Sequence, residues 1–428
     1  MKVYRIDTLI VVTLFSILAP MISSTNEVVG NVLSIVDKIA IVILILVSSS
    51  IVINRRRLKA PFDLSFYFMV SLISVISSLL FSHNLVGSFY QYFLTFQGFI
   101  LLLALSQVKL SQVEIYRYID FILLVGLISS FIGVIEWLYP NLVKEFLHGG
   151  IKHEEAVVRG GALSLQSIFG HPGQFSWYMI LCLSIVIAKF FIYREKSNLL
   201  YAVVFCIMVF LTYRKKSIIA MVIIVTLAVM ICNRKGANKV FLVCLVSTMI
   251  MFLVFIFEEQ MSFLLNQTLT NYNFFSDSYS GPRVALSQVS ISIANDFFPF
   301  GSGLGTFGSW MSRVNYSPLY HEYGLSSFWG LSPDDSRFAT DTYWPMIIAE
   351  LGYIGTVLIL LLTLKLLGRL YFQARRNDGR DYVSLVAFLS LLGVFIESIS
   401  SPALSRSPQI FIVMIIVAGA ISQGDIER

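Results

Sequence analysis

Three consecutive cations, Arg214, Lys215 and Lys216, interrupt an otherwise apolar stretch, Leu199 to Cys232, in the sequence LTYRKKSIIAM. As one helix these 34 residues would reach about 51 Å, far beyond a ~30 Å hydrocarbon core. The sequence therefore predicts two short helices that meet at the cluster. Charges there cost up to ~2.5–3.5 kcal/mol each at the bilayer centre and less toward the interface. Such a cluster either snorkels to lipid headgroups or, through Arg214 at least, grips a phosphate. Arg283, in GPRVALSQVSISIANDFFPFGSGLGTFG, follows a proline that suits the first turn of a helix over 282–295. A cation near that helix N-terminus joins backbone N–H groups in favouring an anion. Arg159, in VVRGGALSLQSIFGHPGQFSWYM, precedes another apolar run. Guanidinium groups donate paired hydrogen bonds and keep their charge, so three arginines from distant segments could converge on one pyrophosphate. Each charge-assisted bond contributes roughly 1.5–3 kcal/mol.

Carboxylates that could work beside them are Asp334, Asp335, Asp341 and Glu350. Asp341, at the start of an apolar run, either caps a helix or acts as a base toward a hydroxyl. His171 in FGHPGQ and His321 are either hydrogen-bonded structural residues or further substrate-binding groups. Trp310, Trp329 and Trp344 could stack on sugar rings or simply pack. Gly303, Gly305 and Gly308 spell GxGxxG, yet no strand precedes them and no βαβ unit is possible. These glycines are expected to shape a tight turn against the membrane instead.

The elements that carry these groups follow from composition. Of 428 residues, 57% are hydrophobic and 13% charged, with a mean hydropathy of +0.79. A soluble domain holds roughly 25% charged residues, so most of this surface must face lipid. Apolar runs near 6–24, 33–53, 64–82, 89–106, 119–138, 174–193, 240–257, 342–364, 383–399 and 408–422 join the two short helices of 199–232. The expectation is an all-α polytopic membrane protein of about twelve transmembrane helices. No cleavable leader is evident, and the N-terminus is expected to be retained. With Lys2 and Arg5 inside, the clusters Arg55–Lys59, Lys109–Arg117, Arg194–Lys196, Arg234–Lys239 and Lys365–Arg380 also fall inside, as does Arg428. Both termini are then cytoplasmic. Residues 1–257 hold helices one to nine with an outer loop at 139–173, residues 258–341 form a large outer loop with short helices, and residues 342–428 hold the last three helices. The net charge of +6 lies in these scattered clusters rather than on one patch, which excludes a nucleic-acid partner. Cys182, Cys206, Cys232 and Cys244 lie in or at the ends of apolar runs without CxxC spacing, so neither a disulfide nor a metal site is expected.

The chain resembles the O-antigen ligase and polymerase superfamily, bacterial membrane glycosyltransferases of GT-C-like architecture. Arg214 in LTYRKKSIIAM looks like the superfamily arginine between two helices. Arg283 with the turn FFPFGSGLGTFG looks like the block R…P-x-G-x-G-x-F. DTYWPMIIAELGYIG, from Asp341 to Gly355, looks like the block that ends in E-x-G-x-x-G. The departure is Asp341, which stands where ligases have a histidine nine residues before the glutamate. Aspartate there looks more like the repeat-unit polymerases. The resemblance implies periplasmic transfer of a growing glycan from undecaprenyl pyrophosphate to a sugar hydroxyl of a new lipid-linked repeat unit, in O-antigen, capsule or exopolysaccharide synthesis. It implies Arg214, Arg283 and Asp341 as catalytic residues in the bacterial inner membrane. Arg159, Lys215, Lys216, His171, His321, Glu350, Trp310 and Trp329 are then substrate-binding. No metal or cofactor is implied, and a chain-length regulator is a possible partner. The alternatives are an O-antigen ligase, a transferase of oligosaccharide onto protein, and a secondary transporter or flippase. The transporter fits less well, because no internal repeat is visible and the elaborated loop follows the ninth helix.

Overall fold

A computed structural model describes residues 4–149, 158–159, 162–232, 281–376 and 381–424. Ten helices precede residue 233: α1 (Tyr4–Thr25), α2 (Glu27–Leu33), α3 (Val36–Arg55), α4 (Leu64–Phe81), α5 (Leu85–Val108), α6 (Gln112–Leu138), α7 (Pro140–His148), α8 (Pro172–Tyr193), α9 (Ser197–Leu211) and α10 (Lys215–Cys232). Between α7 and α8 lies a two-residue antiparallel pair, β1 (Val158–Arg159) and β2 (Ala162–Leu163). Then follow α11 (Pro282–Asp296), α12 (Trp310–Val314), α13 (Leu319–Glu322), α14 (Trp344–Ala374), α15 (Tyr382–Glu397) and α16 (Gln409–Gly424). Among the described residues eight helices are long and apolar enough to cross a membrane, and three shorter apolar ones accompany them, namely α9, α15 and α16. They coincide with the expected runs, except that the run at 240–257, with Arg234, Lys235, Lys239 and Cys244, lies outside the described residues. The chain is a polytopic helical membrane protein.

Local sequence sets the helix ends. Asn84 accepts the Gly87 N–H, Ser111 and Glu114 form a reciprocal capping box, and Asp381 accepts the Ser384 N–H. At one end of the bundle Arg55 donates to the Gln107 carbonyl, Lys365 pairs with Asp63 at 2.8 Å, and Arg369 donates to the Pro61 carbonyl. The Lys365 ammonium, donating to the Asp63 carboxyl, holds it below the ordinary carboxylate range. The opposite end carries the α9–α10 turn, the segment 281–343 and the α15–α16 turn. That segment closes a second, small apolar core, in which Leu286, Val289, Ile293, Phe307, Tyr320 and Leu331 are buried.

The two cores meet at a break in α14. Gly352 sits at φ +64, so the helix kinks there, and the Ala349 and Glu350 carbonyls accept the N–H groups of Ser302 and Gly303. A helix broken at membrane depth needs such replacement donors. The glycine turn that supplies them fits because Gly301 and Gly303 have φ of +78 and +92. A Cβ at Gly301 would come within 2.4 Å of the Gly352 nitrogen, and one at Gly303 within 2.9 Å of Ser78 Cα. The GxGxxG segment is therefore a packing turn, as its context implied, seated on α4 and α14.

A buried ion pair fixes the approach to α8. Glu136 near the end of α6 pairs with Lys144 of α7 at 3.1 Å, and its other oxygen accepts the N–H groups of Gln166 and Ser167. Both charged side chains are nearly inaccessible, so removing one strands the other in a low-dielectric site. Glu136→Ala is expected to cost about 3 kcal/mol and to lower the thermal midpoint in detergent. An unchanged midpoint would show that Lys144 finds solvent by itself.

Candidate functional site: a cationic cluster at one end of the bundle

Arg214 stands at the junction the sequence predicts. After α9 ends, Tyr213 turns the chain with φ +49, and the Arg214 carbonyl accepts the Ser217 and Ile218 N–H groups to open α10. Arg214 is 7% exposed, and its guanidinium lies over the first turn of α8. A Cβ on Gly173 would fall 2.3 Å from its Nη1, so this glycine makes the room the arginine occupies. His171 caps α8, its Nδ1 accepting the Gly173 N–H at 3.1 Å. His171, Gly173 and Arg214 thus form one corner.

The other cations come to the same place. Lys216, on the first turn of α10, pairs with Glu397 at the end of α15 at 2.6 Å and lies within electrostatic reach of Arg214 and Arg283. Arg283, on the first turn of α11, donates through Nε at 2.9 Å and through Nη2 to Asp341 Oδ2. Arg406, on the α15–α16 turn, lies within electrostatic reach of Asp341, and so does Arg313 of α12 from Arg406. Desolvation by the surrounding protein, opposed by Asp341 and reinforced by Arg313, draws Arg406 below the ordinary arginine pKa, although the side chain is exposed to solvent. Both hold for a residue that lines a recess. Trp310, 47% exposed, carries the Arg313 guanidinium 5.9 Å from its ring centroid, which sets an open aromatic face beside the cations.

Several sequence expectations change in place or character. Asp341 is not a helix cap, because α14 begins at Trp344 with Tyr343 at the cap position; its partner is Arg283. Lys216 is engaged by Glu397, a residue the sequence reading passed over. Glu350, expected to touch substrate, is fully buried. Its Oε1 accepts the N–H groups of Gly305, Thr306 and Phe307 at 2.8, 2.9 and 3.1 Å, which makes it the anchor of the glycine turn. Trp344 packs between Tyr343 and Phe395. His321 is exposed on α13 against the Tyr316 ring, and Trp329 is exposed between Phe338 and Arg337. Asp335 pairs with Arg337, whose hydrogen bond lowers the Asp335 pKa. Lys215 lies partly buried at the start of α10. Arg159 belongs to β1, with its side chain outside the described residues. Arg406 was legible by the same rule as Arg214, an arginine in a turn between two apolar helices on the side opposite the basic clusters.

Residues 200–360 match the family model for O-antigen ligase. Over that span the chain is similar to the O-antigen ligase family. The matched span takes in Arg214, Lys216, Arg283, the glycine turn, Asp341 and Glu350. Arg406 and Glu397 lie beyond it, and His171 and Gly173 before it. A search of curated proteins finds no match. The family match indicates glycan processing of the ligase type and fits polymerase and ligase equally.

Gly173 gives a test of the corner. Gly173→Ala is expected to insert and fold normally while pushing the Arg214 guanidinium aside. Displacement of a positioning group by about 1 Å costs on the order of 100-fold in rate. Glycan transfer in isolated membranes measures it, and undiminished transfer by Gly173→Ala would remove Arg214's position from the argument.

Proposed function

We propose that the chain is a polysaccharide repeat-unit polymerase working at the periplasmic face of the bacterial inner membrane. The growing glycan leaves undecaprenyl pyrophosphate and joins a sugar hydroxyl of an incoming lipid-linked repeat unit. The observation that carries this reading is the gathering of Arg214, Lys216, Arg283 and Arg406, with Glu397 and Asp341 the carboxylates placed against them among the described residues. Such a group is net positive, and a diphosphate is the anion whose several oxygens match several forked donors. In the reaction the acceptor hydroxyl oxygen bonds to the anomeric carbon as that carbon's bond to the diphosphate oxygen breaks, with inversion. The electron pair leaves on the diphosphate, where the guanidinium groups neutralise it, and the hydroxyl proton passes toward the Asp341 carboxylate. Donors already fixed in place stabilise the charge that develops on a leaving group without reorganising.

Two features support a polymerase over a ligase. Aspartate occupies position 341, where the resemblance places a histidine in ligases. That carboxylate also shares Oδ2 with Arg283, so a single element both grips the leaving group and faces the acceptor. The basic clusters at the opposite end support cytoplasmic termini. Attachment of glycan to lipid A or to protein is the alternative that the family name favours.

Arg214→Ala and Arg283→Ala are each expected to abolish long-chain polysaccharide while the protein remains folded in the membrane. Arg406→Ala is expected to shorten or thin the ladder of chain lengths. Normal ladders on a gel from both of the first two variants would end the proposal. In a deletion strain, a single repeat unit on the glycan carrier identifies a polymerase, whereas lipid A core without any repeat unit identifies a ligase.

A further inference from the structure

A cleft separate from the cation cluster opens between α1, α2, α3 and the α15–α16 turn. It is lined by Ser16, Ser34, Asp37, Lys38 and Ser407, with Gly30 in its wall. Gly30 is needed there, since a Cβ would fall 2.2 Å from Ser23 Cα and force α1 and α2 apart. Asp37 is 1% exposed. Lys38 reaches its Oδ1 at 3.3 Å and donates to the Ser34 carbonyl at 2.6 Å, while Asp37 Oδ2 is buried without a hydrogen-bond partner. Ser16 Oγ and Ser407 Oγ are likewise buried and unpartnered. A buried polar atom left unsatisfied is costly, so three of them on one cleft describe a surface shaped for a hydrogen-bonding occupant.

We infer that this cleft receives one sugar ring of the lipid-linked glycan, an inference that rests on the transferase reading above. The cleft holds about 190 Å³, more than ten times the space a single water needs. A carboxylate oxygen and two serine hydroxyls present acceptors and hydroxyl donors together, which is the complement of neighbouring ring hydroxyls. Asp37 opposes a bare phosphate, and Lys38, already engaged by it, does not reverse that preference. The wall offers no broad apolar face to an acyl chain. Placement agrees with the chemistry. Ser407 follows Arg406 directly, with Cα atoms ~3.8 Å apart, so the residue that lines the cleft adjoins one that lines the cationic recess. A diphosphate held on the Arg406 side would present its attached sugar toward the Ser407 side.

The test uses the full-length protein in nanodiscs with the lipid-linked repeat unit extracted from a host lacking this chain, and inorganic pyrophosphate as inhibitor. Asp37→Asn keeps the shape of the side chain, and Ser34→Trp fills the cleft from its exposed rim. Each is expected to raise KM for the lipid-linked repeat unit about tenfold, to leave kcat within about threefold, and to leave inhibition by pyrophosphate unchanged. Arg214→Ala, expected to abolish turnover, is expected instead to weaken pyrophosphate binding measured directly by calorimetry, which the two cleft variants leave unchanged. Unaltered KM in both cleft variants overturns the subsite, as does a joint fall in kcat and pyrophosphate affinity, which marks Asp37 as structural. A wild-type protein that elongates no lipid-linked glycan overturns the transferase reading instead.

Discussion

Like charges brought together at the edge of a membrane repel, and the arrangement at this end of the bundle is organised around containing that repulsion. Two unit charges about 4 Å apart interact by roughly 4 kcal/mol at an effective dielectric near 20. Glu397 is set against Lys216, and Asp341 against Arg283, so each carboxylate offsets part of the repulsion its cation would otherwise meet. Each pair also ties two elements: α10 to α15 in the first case, α11 to the entry of α14 in the second. Electrostatic relief and mechanical bracing are thus supplied by the same contacts. Among the described residues the cations still outnumber these carboxylates, and a surplus of that sign would favour an anion.

The bracing depends in turn on how α14 is broken. Gly352 interrupts the helix, the glycine turn supplies N–H groups to the exposed carbonyls, and Glu350 gathers three successive amides of that turn. The small apolar core above, with Phe307 and Tyr320 stacked at 5.5 Å, continues the same unit. Asp341 and Trp310 are presented from this unit, whereas Arg214 and Lys216 come from the α8–α10 side. The site is therefore assembled where two separately built halves face each other.

The sequence made some of this legible and hid the rest for identifiable reasons. Charges in the middle of an apolar stretch too long for one span left few solutions, so the α9–α10 junction and Arg214 could be read directly. The proline before Arg283 announced α11 in the same way. Glu350 differs from its expected place because its burial is decided by amides some forty residues earlier, and no local pattern distinguishes an enclosed glutamate from one beside substrate. Gly173 carries no signal by itself, since its purpose appears only when a side chain forty-one residues later lies against it. Arg406 was readable by the charge rule but stood alone, and a single arginine between two spans draws less notice than a run of three.

The lengths of three helices carry a further consequence. α9 has 15 residues and α15 and α16 have 16 each, or about 22–24 Å at 1.5 Å per residue. α9 ends at the turn that carries Arg214, and α15 and α16 are joined by the turn that carries Arg406. α15 and α16 are buried along almost their whole length, so lipid does not lie beside them and the turn that carries Arg406 is set among other helices. α9 instead turns Leu199, Leu200 and Val203 outward, so a bilayer that thins to match a short helix would do so on the flank that leads to Arg214.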